Sequence, residues 1–293
     1  MSAPIPPLFT RCLLAIRPKT LPLTLAPVSA GIALACADTG QFAAVIALCT
    51  VLAALAIQIG TNLYNDAADF ERGTDTPQRT GPQRVTAQGW FRASQVKIAA
   101  HVLFLLAFLL GIALLLRGGW PIFSLGSAAL LAGYAYTAGP RPIAYGPLGE
   151  LFVLVFFGIA AVAGSHYLQT LTLSWSAISV GIALGLPAAA VLTVNNYRDL
   201  DTDRAAGRRT LCHYLDRPRS RFLYAFLLLT PVPMLWATEL PGTTWPLVAA
   251  LPLALVLIVQ LGKRSGAALN TQLAQTAFFQ LVLTALLILG FLL

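Results

Sequence analysis

NLYNDAADFERGTD, Asn62 to Asp75, stands where a long apolar run gives way to a loop. If its first part ends a helix, Asn62, Asp66 and Asp69 fall at i, i+4 and i+7 and share a face. An echo lies far downstream in NNYRDLDTD, Asn195 to Asp203, where Asn195, Asp199 and Asp203 stack at i, i+4 and i+8. The chain holds only 11 acids, and Asp66, Asp69, Glu71, Asp75, Asp199, Asp201 and Asp203 all belong to these two stretches. Carboxylates this close repel one another unless a cation lies between them. Mg²⁺ takes hard oxygen donors sparingly and leaves room for water and phosphate oxygens. The expectation is that the two clusters converge to hold Mg²⁺ and, through it, a diphosphate. Asn62 and Asn195 would supply carbonyl oxygens or hold the carboxylates in place.

Outside these stretches the chain is oily. Of 293 residues, 57% are hydrophobic and 10% charged, and the mean hydropathy is +0.75. That composition implies a polytopic membrane protein, all-α, with residues 1–293 forming one domain. Nine apolar segments can be drawn, at 20–36, 43–63, 96–116, 121–137, 152–168, 176–194, 222–239, 245–261 and 275–293. Pro22 and Pro27 are expected to kink the first. With nine spans, every Lys and Arg except Arg117 falls on the side of the N-terminus. The positive-inside rule then assigns that side to the cytoplasm of a bacterial inner membrane. The acids follow, with only Asp38 and Glu239 on the other side, so the active site is expected at the cytoplasmic mouth of the bundle. The net charge of +8 therefore reflects topology rather than a nucleic-acid partner. Cys12, Cys36, Cys49 and Cys212 have no metal spacing, and the Ala-Leu-Ala-Cys36 sequence falls inside the first span rather than at a cleavage site.

Two connections, about 64–95 and 195–221, are long, and both carry Asp-rich stretches; long loops on one face of a rigid scaffold commonly carry function. Arg72 and Arg198 lie among the acids, while Lys19 and Arg141 sit at other cytoplasmic helix ends. Guanidinium groups grip phosphate oxygens bidentately, although cytoplasmic loops carry arginine for topological reasons as well. A third polar stretch, YAYTAGPRPIAYGPLGE at 134–150, offers Tyr136, with Tyr134 and Tyr145, as a cation-stabilising lining. Glu150 opens the fifth span, where a carboxylate suits the helix dipole. His101, His166 and His213 form no spaced pair of ligands.

Together with RPKTLP at 17–22, QIGTNLYNDAADFERGTDT at 58–76, GPQRVTAQG at 81–89, PRPIAYGPLGELFVLVFFG at 140–158, GSHYLQ at 164–169 and NNYRDLDTDRAAGRRTL at 195–211, these residues give a resemblance along nearly the whole chain. The sequence resembles the UbiA superfamily of membrane prenyltransferases, and within it the 1,4-dihydroxy-2-naphthoate prenyltransferases of menaquinone synthesis. The resemblance implies a nine-helix fold and two Asp-rich motifs that bind Mg²⁺-diphosphate. By position, Asn62, Asp66 and Asp69 form the first motif and Asp199 and Asp203 the second. Asp66, Asp69, Asp199 and Asp203 are thus the expected metal and catalytic residues. Lys19, Arg72, Arg141 and Arg198 are candidate phosphate or acceptor contacts, and Glu150 a candidate to orient the acceptor. The chain departs from the family pattern at Arg208, where Lys is common, and in LCHYLD at 211–216. The implied reaction joins a polyprenyl diphosphate, entering from the bilayer, to an aromatic acceptor. Other acceptors, such as 4-hydroxybenzoate or homogentisate, are not separated from the naphthoate by the bare residues. A secondary transporter would hold its ionisable residues near the membrane midplane, whereas here the acids gather at one end.

Overall fold

The computed structural model describes residues 5–73, 81–139, 142–238, 240 and 247–292. Asp75, Arg141 and Glu239 lie outside the described residues. Every regular element among them is helical: α1 (Leu8–Ile16), α2 (Pro22–Thr39), α3 (Ala44–Glu71), α4 (Ala93–Ala135), α5 (Gly149–Thr170), α6 (Trp175–Arg198), α7 (Leu200–Ala205), α8 (Leu211–Leu229), α9 (Pro231–Trp236), α10 (Leu251–Lys263) and α11 (Ala268–Leu292). Among the described residues six helices, α2 to α6 and α11, are long and apolar enough to cross a membrane. Leu116, Val102 and Ile98 on α4 are exposed, as befits side chains that meet lipid.

The apolar segments are recovered with instructive differences. At 43 residues, a straight α4 would run about 65 Å, twice the ~30 Å hydrocarbon core. It does not run straight. Gly119 adopts φ 63, ψ −153 just before Pro121, and the break separates two legs that match segments 96–116 and 121–137. Pro22 does not kink α2; it stands in the first helical turn, where its missing N–H has no intrahelical partner to lose. Pro27 lies inside the same helix, which continues to Thr39. The segment at 222–239 is split between α8 and α9. α8 itself begins at Leu211, ahead of the apolar run, and bends at Asp216 (φ 61) before Pro218.

The most buried helix is α6, whose Ala183, Leu184, Ala190 and Val194 are fully covered. Its approach to α5 depends on glycine. A Cβ on Gly158 would lie 2.4 Å from the Gly181 carbonyl oxygen and 2.5 Å from the Gly185 Cα. In the same place α5 widens into a π-helical turn, Val155–Ala160. Polar side chains tie the second half of the bundle together: Gln272 Nε2 donates to Tyr224 Oη at 2.9 Å and to the Leu257 carbonyl at 2.8 Å, and Gln280 Nε2 donates to the Leu184 carbonyl at 3.0 Å.

The loops collect at one end. Arg11 reaches the Trp90 carbonyl, Arg72 the Thr137 and Gly139 carbonyls, the Arg209 N–H the Tyr145 carbonyl, and Arg198 the Asn270 side chain. Arg117 belongs to the opposite end, where it meets the Leu168 and Gln169 carbonyls near the His166–Asp38 pair. The ends of α3 and α6, which carry the two Asp-rich stretches, both point into the loop-rich end.

Candidate active site

One cavity of about 480 Å³ runs into the bundle from that end. α3 contributes a helical stripe, Thr50, Ala54, Ile57, Thr61, Asn65 and Asp69, and α6 another, Ala188, Val191, Leu192 and Asn195, continued by Asp199 at its C-cap. Both stripes are apolar or small deep inside and polar at the mouth, so the cavity has a charged end and a greasy end. Leu114, Ile122, Leu125 and Leu168 line the greasy end. Phe108, Ile112 and Phe123 of α4 line the wall yet stay exposed.

The four expected carboxylates are all buried, but they do different things. Asp69 faces the cavity from α3. Its Oδ2 pairs with Arg84 Nη2 at 2.8 Å, and its Oδ1 takes Arg208 Nη2 at 2.6 Å and the Tyr145 hydroxyl at 3.2 Å. Asp203 faces Arg208 from the other side at 3.7 Å. Arg208 thus bridges the two Asp-rich stretches. Burial works against its charge, but Asp69 above all, then Tyr145 and Asp203, outweigh that and hold the guanidinium above its ordinary value. The guanidinium also stacks 4.3 Å from the Tyr145 ring centroid. Asp199 is gripped bidentately by Arg198, Nε to Oδ1 at 2.7 Å and Nη2 to Oδ2 at 2.6 Å.

Asp66 does not line the cavity. Its Oδ2 accepts the Val85 N–H at 3.1 Å, and its Oδ1 accepts the Thr86 N–H at 3.1 Å and the Thr86 hydroxyl. It anchors the loop that delivers Arg84, while Asn65, on the other flank of the helix, takes the cavity-facing place beside Asn62 and Asp69. Asn62 keeps its oxygen toward the cavity, because its Nδ2 is turned to the Ile16 carbonyl at 3.3 Å. Asn195 is turned the opposite way, its Oδ1 taken by Arg198 at 2.8 Å.

Of the basic candidates, Arg198 holds Asp199 and Asn195 rather than lining the cavity. Arg72 serves as a tie to the 137–139 turn. Lys19 is exposed and outside the cavity. Arg17, two residues earlier in the same motif, lines the cavity instead, from a left-handed backbone at φ 56 that is costly for a side chain with a Cβ. Arg84 and Arg208 are the other basic residues of the lining. Spacing did not single out Arg17 or Arg84, although both lie inside quoted motifs. Tyr136 lines the cavity, with Phe152 at 6.3 Å between ring centroids and Phe156 4.6 Å beyond that. Glu150 is buried behind the lining, against Asn196.

Among the described residues no three Asp, Glu, His or Cys side chains gather at ligating distance. Asn62, Asp69, Asp199 and Asp203 nevertheless bring side-chain oxygens to the cavity lining. A sparse oxygen set beside arginines suits a hard cation that shares its sphere with phosphate.

The UbiA prenyltransferase family model matches residues 24–283. A 1,4-dihydroxy-2-naphthoate octaprenyltransferase of Haemophilus influenzae is 34% identical over 288 residues, covering 94% of each chain. The protein of that name from Escherichia coli is 40% identical over 220 residues, 73% of this chain and 71% of its own. In fold, a UbiA homolog from Archaeoglobus fulgidus bound to GPP and Mg²⁺ has a TM-score of 0.69 at 16% identity, covering 94% of this chain and 99% of its own. A match of this length, on a helical bundle whose two acidic helix ends meet at one cavity, means that the chain belongs to the UbiA prenyltransferase family.

Proposed function

We propose that this chain is an aromatic prenyltransferase that moves a polyprenyl group from its diphosphate to 1,4-dihydroxy-2-naphthoate, with decarboxylation to demethylmenaquinol. The observation that carries the reading is a cavity charged at its mouth and apolar beyond, in a chain aligned over 94% of its length with a protein named for that reaction. The break at Gly119 and the helices α8 to α10 are compatible with nine spans. The basic loops, by the positive-inside rule, favour a cytoplasmic mouth and N-terminus.

Asn62, Asp69, Asp199 and Asp203 would hold Mg²⁺, which fits their oxygen donors; Asp66 supports the loop beside them. Bound there, the cation would neutralise diphosphate charge and ease departure of the leaving group. Arg17, Arg84 and Arg208 line the same end and supply further charge to diphosphate oxygens. Asp69 and Asp203 keep Arg208 aimed at the mouth. The prenyl tail lies along the apolar stretch, with α4 as the wall open to the bilayer. As the allylic C–O bond breaks, its electron pair leaves with the diphosphate. Tyr136, Phe152 and Phe156 then present aromatic faces to the developing cation, and the apolar lining keeps water from it. The electron-rich acceptor ring closes the C–C bond, and its carboxylate leaves as CO₂, whose bonding electron pair returns to the ring.

Purified protein with the naphthoate, a polyprenyl diphosphate and Mg²⁺ is expected to give a decarboxylated, prenylated naphthoquinol by mass spectrometry, and none in EDTA. Product formed only from 4-hydroxybenzoate would overturn the acceptor. No product from either would overturn prenyl transfer.

A further inference from the structure

Behind the cavity wall, Glu150 and Asn196 form a buried pair that the reaction described so far leaves without a task. Asn196 Nδ2 donates to Glu150 Oε1 at 2.9 Å, and the two residues are 5% and 6% exposed. Glu150 stands in the first turn of α5 and Asn196 near the end of α6, so the bond spans two helices. A carboxylate can only accept hydrogen bonds, so it draws the NH₂ side of the amide toward itself. Asn196 Oδ1 is thereby turned away from Glu150. No group among the described residues donates to that oxygen, yet it is not sealed in protein, and Asn196 lines the cavity. Asn195 next to it presents the opposite polarity, because Arg198 occupies its oxygen. The neighbouring side chains thus offer one acceptor and one donor in fixed orientations.

The second oxygen of Glu150 is buried with no hydrogen-bond partner. An unsatisfied carboxylate oxygen inside a bundle is costly, and packing alone would be better served by an apolar residue. Orientation of a neighbour is a task that only a pure acceptor performs unambiguously, since a glutamine in its place could present either end.

We propose that Glu150 is a positioning residue that locks the Asn196 amide with Oδ1 facing the cavity, and that this oxygen accepts a hydrogen bond from a ring hydroxyl of the aromatic acceptor. The hydroxyl keeps its proton. The bond increases electron density on the oxygen and, through it, on the ring carbon that attacks the allylic centre. The proposal deepens the prenyl-transfer reading and rests on it.

The test uses full-length enzyme in detergent, with acceptor and prenyl diphosphate varied separately. Glu150→Gln is expected to lower kcat/KM for the acceptor about tenfold, the worth of one oriented hydrogen bond, and to leave the KM for prenyl diphosphate within about twofold. The double variant Glu150→Gln with Asn196→Asp exchanges the polarity of the pair while again turning an oxygen to the cavity. It is expected to recover most of the loss. An acceptor O-methylated at the bonding hydroxyl has no proton to give, so wild type and Glu150→Gln are expected to use it equally poorly. Equal changes in both substrates' KM, or a folded double variant with no recovery, would overturn the proposal. If Glu150→Gln does not fold, Asn196→Ala carries the same readout, and an unchanged acceptor KM there overturns it. Wild-type enzyme that makes no product sinks the prenyl-transfer reading instead, which keeps the two failures distinct.

Discussion

Asp66 and Asp69 lie one turn apart on α3 and are used in different ways. Asp69 meets Arg84, Arg208 and Tyr145 at the cavity, whereas Asp66 accepts both backbone N–H groups of Val85 and Thr86. An asparagine at 66 has one acceptor oxygen, so one of those buried N–H groups loses its partner and the loop carrying Arg84 loosens. Asp66→Asn is expected to reduce kcat/KM for prenyl diphosphate about tenfold, mainly through KM. Asp69→Asn and Asp199→Asn are expected to lower kcat about 100-fold or more at saturating donor, as for loss of a group that stabilises charge at the reacting centre. Steady-state kinetics on the three variants distinguishes the roles. A kcat loss for Asp66→Asn equal to that for Asp69→Asn would return Asp66 to the ligand set. The i, i+4, i+7 spacing placed both acids at one helix end but could not separate these neighbours, since Asp66 and Asn65 lie on either side of the line from Asn62 to Asp69.

At the scale of elements, the site depends on how closely α5 and α6 approach. Gly158 faces Gly181 and Gly185 with no room for a Cβ, and the π-helical turn beside it carries Phe156 and Phe157 to the cavity wall. π-Turns of this kind shift the register of a helix face and recur near functional positions. Gly158→Val must push the helices apart. Overpacking of this sort costs about 1–3 kcal/mol, so a lower melting temperature in detergent is expected, together with reduced turnover because the Tyr136–Phe152–Phe156 wall moves with α5. A variant with wild-type melting temperature and turnover would remove the close approach as a determinant of the site. The helices themselves were legible from apolar runs. The break at Gly119 fell between two of those runs, but the early start of α8 was less legible, because hydropathy registers where lipid lies and not where backbone hydrogen bonds continue into a loop.

Across the whole molecule, charge is distributed by end. Arg219 on α8 lies two residues past Arg217, which pairs with Asp201 at the end that holds the cavity mouth, and Leu173 follows the Arg117-bound end of α5 at the other. In a background with Cys12→Ser, Arg219→Cys is expected to react with a membrane-impermeant maleimide only from the cytoplasmic face of oriented vesicles, and Leu173→Cys only from the opposite face. The reverse pattern would move the active-site mouth to the other side of the membrane.

Composition alone determined that this chain lives in a bilayer, since 57% hydrophobic residues leave no other medium for it. The sign and placement of its few charges determined how those charges divide between the two ends of the bundle. Both follow from transfer free energies that act on each segment separately. Tertiary structure decided which side chains meet at the cavity mouth. The left-handed turn at Arg17 aims one guanidinium inward while Lys19 stays outside. Thr86 claims Asp66 from a distant loop, and Arg208 joins Asp69 to Asp203 across the mouth. Helical period fixes a residue's angle on its own helix, but the partner waiting at that angle comes from chain far away in sequence, and no local pattern encodes that.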